Sequence, residues 1–231
     1  MTKKVISICI PSMGRSKRLD EMIKSAISTA GSAHRLEFCI FLDKADIESE
    51  YLGTLKNKLV LKGPSMPVSL LTNFLFAQSS GSIIMYAADD IIFRTQDWDD
   101  RVEESLSLPG KWLVHANDLS RNAGEIATHG FVLREYSESL GYLIPPYFEA
   151  LFCDTYLTWL ARKSDGEIYL KNVQIEHMHP DWGKSAFDST YERRKKRLNF
   201  LYEFLKFQLH LYEKNRDLKI VTLIQNKKSK F

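Results

Sequence analysis

Between Val5 and Ala87, short β-branched or apolar runs alternate with amphipathic and polar stretches, an order that few folds accept. Val5–Ile10 reads as a strand ended by Pro11. Leu19, Ile23, Ala26, Ile27 and Ala30 mark one face of a helix, with Ser16 as its expected N-cap. Leu36–Leu42 is a second strand, ending at Asp43. A polar stretch that admits a helix follows, then a brief strand at Leu59–Leu61. Ser65-Met-Pro67 opens a helix with apolar positions Val68, Leu71, Leu75 and Phe76, and Ser-Ser-Gly at 79–81 stops it. Ser82–Ala87 is the fourth strand. This β-α-β-α-β-α-β order predicts an α/β fold with a Rossmann-like, mostly parallel sheet flanked by helices. Such sheets bind ligands outside the carboxyl ends of their strands. Ser12–Arg15, Asp43 and Asp89-Asp90 all fall there.

The second half is less regular. Trp112–Ala116 and Ala127–Leu133 read as strands, and Ala150–Leu160 as a helix. Ile168–Leu170 and Val173–Ile175 suggest a small hairpin leading to His177. Ser189-x-x-Glu192 is a capping box, after which Leu198, Leu201, Leu205 and Leu209 recur at helical spacing. The tail from Gln225 is expected to fray. At 231 residues and 44% apolar content, one domain with a sizeable core is expected over 1–231. Its two halves are a ligand-binding part at about 1–100 and a partner-side part at about 101–231, judged from the change in regularity. A net charge of +3 gives no global nucleic-acid signature. Cys9, Cys39 and Cys153 lie far apart and read as buried hydrophobes of a reducing compartment, not a disulfide frame. No signal-peptide pattern is visible, and no run approaches the roughly 20 apolar residues of a membrane span. A soluble cytoplasmic protein is the expectation.

Asp89 and Asp90 interrupt the apolar stretch IIMYAADDIIF. The plain reading is a turn between strands. On a regular strand the two side chains would point to opposite faces, so they act together only if the strand ends at Ala88. In that case one carboxylate can ligate a divalent cation, and the other can hold a ribose hydroxyl or a metal-bound water. Oxygen ligands favour Mg²⁺ or Mn²⁺. Downstream, alternation puts His177 and His179 on one face of an extended segment. Zinc held by these two alone is disfavoured, since no cysteine or third histidine stands at ligand spacing. Trp98 reads as a packing residue, and Asp97, Asp99 and Asp100 as an acidic first helical turn. Tyr147, Phe148, Tyr156 and Trp159 could shape an acceptor site, but core packing fits most of them better.

The segment Ile6-Ser-Ile-Cys-Ile-Pro-Ser-Met-Gly-Arg15, Asp43 after the second strand, and Ala88-Asp89-Asp90 together resemble the nucleotide-sugar glycosyltransferases of the A-type fold (GT-A). The likeness is to the large family-2 group that opens on strand–Pro–x–x–x–Arg, and it spans about residues 5–100. It implies a nucleoside pocket lined by Pro11, Arg15 and Asp43, often for uridine, so that a UDP-sugar is the expected donor. It puts the Asp-x-Asp-type motif on Ala88-Asp89-Asp90. Asp89 would touch ribose or a metal water, and Asp90 would bind Mn²⁺ or Mg²⁺ directly. Ala88 departs from the acidic first position. A strand glycine of the family falls on Gly130. Its acidic pair at the start of the acceptor-side helix falls on Cys153-Asp154, which implies Asp154 as general base and inversion at the anomeric carbon, with Glu149 as runner-up. A late histidine can complete the metal shell, here His177 or His179.

The basic run Arg193-Arg194-Lys195-Lys196-Arg197 is most simply a solvated helix face, yet Arg193, Arg194 and nearby Lys184 are candidates for phosphate or acceptor contacts. Asp181–Lys184 reads as a loop that orders over the donor. The acceptor is then a glycan, a lipid-linked or small molecule, or a hydroxymethylated DNA base. Two alternatives remain: a nucleotidyltransferase, whose glycine-rich loop Pro11–Arg15 does not match, and a non-enzymatic nucleic-acid-binding module built on the basic run.

Overall fold

A computed structural model describes residues 3–188, 190–192 and 200–228 of the chain. The expected alternation is present. β1 (Ile6–Ser12), α1 (Ser16–Thr29), β2 (Leu36–Asp43), α2 (Glu50–Thr54), β3 (Lys58–Gly63), α3 (Val68–Gln78) and β4 (Ile83–Tyr86) follow in order. β1 pairs in parallel with both β2 and β4, and β2 with β3. The sheet then continues through β5 (Ile91–Phe93), β6 (Leu113–Asn117), β7 (Gly130–Leu133) and β8 (Glu167–His177). The full order is β3-β2-β1-β4-β7-β6-β8-β5. β4 meets β7 antiparallel, so the irregular second half extends the same sheet. Further helices are α4 (Trp98–Leu106), α5 (Arg134–Leu140), α6 (Cys153–Lys163), α7 (Phe200–Leu209) and α8 (Leu211–Lys228).

Packing explains the helices. α1 buries Leu19, Met22, Ile23 and Ala26, the 3–4 spacing that presents one stripe to the sheet. Each of its large apolar side chains contributes about 1.5–3 kcal/mol on burial. Trp98 is fully buried against Phe93, and its indole N–H donates to the Ala26 carbonyl (3.1 Å), so it is a packing residue as expected. All three cysteines are buried and none is in a disulfide.

Several expectations are corrected. Ser16 is the first helical residue of α1, and Arg15 holds the N-cap position without a side-chain bond. Val68 is exposed while Leu71, Leu75 and Phe76 are buried. The expected hairpin at 168–175 is one strand. Lys171-Asn172 supplies no left-handed glycine to reverse the chain, and the pairing with β6 instead jumps from Ala116↔Leu170 to Asn117↔Gln174. Asp99 stands with Asp100 in the acidic first turn of α4, as expected, while Asp97 holds the N-cap position. Asp99 is fully buried and accepts from the Gly31 N–H (2.7 Å), the Ser32 N–H (3.1 Å) and Arg35 Nε (2.8 Å). Gln225 does not fray: its amide donates to the Gly110 and Ser164 carbonyls, inside α8.

Candidate active site

A cavity of about 310 Å³ opens at the carboxyl ends of β1, β2 and β4, beside the β1/β4 position where the strand order reverses. Pro11, Arg15, Asp43, Asp89, Asp90, Asp154, His177 and His179 all line it. Residues read from five separate stretches of sequence therefore meet in one place. The β1–α1 and β2–α2 loops are tied where the Gly14 N–H donates to Asp46 (2.8 Å). Asp43 turns its own loop by accepting from the Ala45 N–H (3.1 Å).

The acidic doublet occupies the two-residue turn between β4 and β5, and both carboxylates are buried. They face different partners. Asp89 accepts from Ser12 Oγ (2.7 Å) and Arg15 (3.0 Å). Asp90 Oδ2 accepts from Arg15 (3.2 Å) and from the Tyr191 hydroxyl. Asp90 Oδ1 is buried, accepts no hydrogen bond, and has His177 Nε2 at 3.4 Å. Antiparallel pairing explains that last approach: β8 sets His177 opposite Ile91, next to Asp90.

Burial pushes the Asp89 carboxyl up to about 6, with the Asp90 charge adding and Arg15 pulling the other way. Burial opposes ionisation of Asp90 too, but His177 and the Tyr191 hydroxyl outweigh it and hold this carboxyl well below the usual range. Two adjacent like charges are thus split by their surroundings, one ionised and one poised near neutrality.

The Arg15 guanidinium is held by Asp89, by Asp90 and by both oxygens of Asp188 (2.9 Å each), and it lies over the Tyr191 ring at 4.4 Å. It faces the acidic doublet from the lining of the same cavity. Asp188 also accepts from the Thr190 and Tyr191 N–H groups, and Thr190 donates to the Met13 carbonyl (2.9 Å). The segment after the histidines is therefore strapped to the β1–α1 loop. Within it Pro180–Trp182 forms a 3-10 turn where a loop was expected.

Asp154 sits in the first turn of α6, where the helix dipole favours a carboxylate. Phe152 starts that helix from a left-handed conformation (φ 65°), which costs a non-glycine residue about 1–3 kcal/mol. Glu149 does not line the cavity; its N–H donates to Glu203 (3.1 Å). Lys184 is likewise elsewhere, paired with Glu176 (2.9 Å) and bonded to the Leu119 carbonyl. Arg193, Arg194 and the rest of the basic run lie outside the described residues, as does Ser189. Phe148 and Tyr156 are buried packing residues, as expected.

Four site residues escape the sequence reading: Ser12, His129, Asp188 and Tyr191. Ser12 and His129 sit inside stretches already singled out, PSMGR and THGFVLR, but neither has a motif of its own. Tyr191 and Asp188 are hidden in what reads as a helix start.

The donor set bears on a divalent cation. A bare buried carboxylate oxygen with an imidazole nitrogen 3.4 Å away suits Mn²⁺, which accepts both ligand types. His129 and His179 rings flank His177 at 4.8 and 5.1 Å. Among the described residues no group of three or more His, Cys, Asp or Glu side chains stands ready to hold a metal unaided. Asp90 and His177 fit a shared site that is completed by ligand and water oxygens.

No protein-family model and no curated protein matches the chain. Solved structures do. A mannosyltransferase from Pyrobaculum calidifontis, PcManGT, solved with GDP-Man and Mn²⁺, superposes with a TM-score of 0.70 at 13% identity, over 96% of this chain and 70% of that one. TarS of S. aureus, residues 1–349 with UDP, gives 0.59 at 11% identity, over 74% of this chain and 59% of that one. The chain spans 36% of the longer TarS structure. The architecture is the A-type glycosyltransferase fold, as the strand–Pro–x–x–x–Arg resemblance implied.

Proposed function

We propose that this chain transfers a sugar from a nucleoside-diphosphate sugar to an acceptor hydroxyl, with Mn²⁺ or Mg²⁺ as cofactor. The observation that carries the reading is the single cavity in which Asp43, the Asp89-Asp90 doublet and Asp154 meet. Two of the similar structures were solved with GDP-Man and Mn²⁺ and with UDP, which supports a donor of this class.

Each residue then has a role set by its place. Asp43 and Pro11 line the nucleoside end, where a carboxylate accepts from a nucleobase N–H. Uracil N3–H and guanine N1–H both offer that donor, so Asp43 alone does not choose between them; uridine is the first candidate. Asp89 takes the ribose or a water. Asp90 and His177 hold the cation, which when bound stabilises charge growing on the departing diphosphate. Asp154 receives the proton of the acceptor hydroxyl as that oxygen bonds to the anomeric carbon. The bond from that carbon to the phosphate oxygen breaks, and the diphosphate leaves with the electron pair. Attack from the Asp154 side opposite the leaving group inverts the anomeric carbon. His177 is preferred to His179 as ligand because His179 Nδ1 accepts from the Asp181 N–H (3.2 Å).

Nucleoside diphosphate release from a panel of UDP- and GDP-sugars, with Mn²⁺, tests the reading. Turnover is expected in the native chain and lost in Asp90→Asn. If no donor is bound or hydrolysed with any divalent metal, the proposal fails.

A further inference from the structure

The two oxygens of Asp90 are unequal. Oδ2 accepts from Arg15 (3.2 Å) and from the Tyr191 hydroxyl. Oδ1 is buried and bare, with His177 Nε2 at 3.4 Å. The main chain here is already fixed, because the Asp90 carbonyl accepts from the Met178 N–H (2.8 Å). Backbone pairing leaves free the rotation of the carboxylate about its last bond, a broad torsion in any aspartate. A donor that keeps to Oδ2 removes that freedom and holds Oδ1 toward His177.

Arg15 and Tyr191 both bind that oxygen, with different consequences. Arg15 divides its guanidinium among Asp89, Asp90 and Asp188, and its charge opposes a cation at the same carboxylate. The Tyr191 hydroxyl is neutral, so it fixes the carboxylate and leaves the negative charge for a cation. Several contacts place this hydroxyl. Asp188 caps the turn that carries it: its carboxylate accepts from the Thr190 and Tyr191 N–H groups (3.1 Å each), and its carbonyl from the Glu192 N–H (3.0 Å). The Tyr191 ring lies under the Arg15 guanidinium (4.4 Å), meets the His179 ring nearly perpendicularly (4.8 Å, 81°) and stacks with Phe187 (5.7 Å). His179 also meets His177 at 5.1 Å, so it stands between the imidazole and the phenol that flank Asp90.

We propose that Tyr191 is a positioning residue of the cation site: by binding Asp90 Oδ2 it presents Oδ1, together with His177, to Mn²⁺. It touches neither substrate nor cation and acts through Asp90. The proposal rests on the reading of Asp90 and His177 as cation ligands. It adds to them a side chain 101 residues further along the chain than Asp90, delivered by the strap that Asp188 and Thr190 fasten to the β1–α1 loop. Hydrogen bonds that hold a ligand's orientation are part of a metal site, and their loss weakens metal binding about 10–100-fold.

Titration of Mn²⁺ alone into the full chain, with free Mn²⁺ read by electron paramagnetic resonance, tests this without any turnover. The native chain is expected to bind the ion, and Tyr191→Phe to raise the Kd about 10–100-fold. Phenylalanine keeps the ring under Arg15 and removes only the hydroxyl. Tyr142→Phe is the control. It also takes a buried hydroxyl from a buried aspartate, Asp217, but away from the cavity lining, and should leave the Kd unchanged. Loss of a structural hydrogen bond lowers the thermal melt of either variant; only positioning separates their Mn²⁺ affinities. A native Kd in Tyr191→Phe overturns the proposal and leaves the cation site standing. Tighter binding overturns it as well, because the hydroxyl would then compete with the ion for Asp90. Equal weakening in both variants assigns the effect to general loosening and overturns it too. A native chain that binds no Mn²⁺ removes the cation reading itself, and the proposal with it.

Discussion

Arg15 is the one cation set between Asp89, Asp90 and Asp188 among the described contacts of that turn, and Arg15→Met probes the site most directly. Methionine keeps an apolar stem over the Tyr191 ring and removes only the charge and its hydrogen bonds. The Arg15 side chain is 8% exposed and its two acidic neighbours in the doublet are equally buried, so the loss leaves carboxylates stranded away from water. Removing one partner of a buried ion pair costs about 3–5 kcal/mol.

The cost depends on pH, and its sign follows from Asp89. Its folded-state pKa of about 6 lies above the ordinary 3.8, so the native state carries an extra proton between those values. Stability contributed by this group therefore falls as pH rises through that window, by about 1.4 kcal/mol per unit. In the native chain the fall ends near pH 6, where Asp89 ionises beside Arg15. Without Arg15 the carboxyl titrates higher and the fall continues. The gap between variant and native chain should widen by up to about 3 kcal/mol from pH 6 to pH 8. Urea denaturation at several pH values measures it. A cation bound by the doublet would replace the lost charge, and at about 100 times its Kd it adds about 2.7 kcal/mol. Mn²⁺ should thus stabilise the variant more than the native chain. A loss below about 1 kcal/mol, the range of exposed pairs, refutes the reasoning. So does a gap that stays constant from pH 6 to pH 8.

Asp154→Asn should lower kcat by about 10²–10⁴-fold while nucleoside diphosphate titrates with unchanged affinity; equal losses in both would remove it from the proton-transfer step. In Gly130→Ala the new Cβ would lie 2.5 Å from the Tyr86 hydroxyl and 2.9 Å from Leu113, so denaturation should show a loss of about 1–3 kcal/mol. Asp99→Asn removes one of three carboxylates on Arg35, with Asp100 (2.8 Å) and Glu103 remaining, and should cost about 1–3 kcal/mol at neutral pH. Burial opposes ionisation of Asp99, but the Gly31 N–H and Arg35 hold its carboxyl below the usual range. Its contribution is therefore complete above the ordinary value and fades as pH falls through the lowered one, so the native chain and the variant should converge in stability in strong acid.

The parallel half of the sheet was legible because burial on both faces turns each strand into a continuous apolar run. Val5–Ile10, Leu36–Leu42 and Ser82–Ala87 stand out in that way, and their ends located the cavity. The other half was not. β5 has only three residues, too few for any period to show. β8 carries the polar pair Lys171-Asn172 in its middle, which looks like a turn until its neighbour β6 is known to absorb it as an irregularity. α7 misleads for a different reason: helical spacing reports that a stripe exists, not which way it faces, and only the burial of Glu203 reveals that this one points outward.

The doublet shows the same limit at the site. A turn between strands and an acidic site at a strand end were rival readings of Asp89-Asp90, yet both hold. The turn is what lets neighbours on the chain part company, Asp89 toward Ser12 and Asp90 toward Tyr191 and His177. On a continuing strand one carboxylate would have pointed into the opposite helix layer. Sequence carries the pair and its position, but their inequality comes from residues that arrive over long chain separations: Ser12 from β1, His177 through its register with Ile91, and Tyr191 from the strap. Local pattern cannot state which of two adjacent aspartates stays ionised, because that is decided by the partners each one meets. Asp90 gathers an imidazole and a phenol and keeps its charge, while Asp89 retains a proton into mildly acidic pH even with Arg15 beside it.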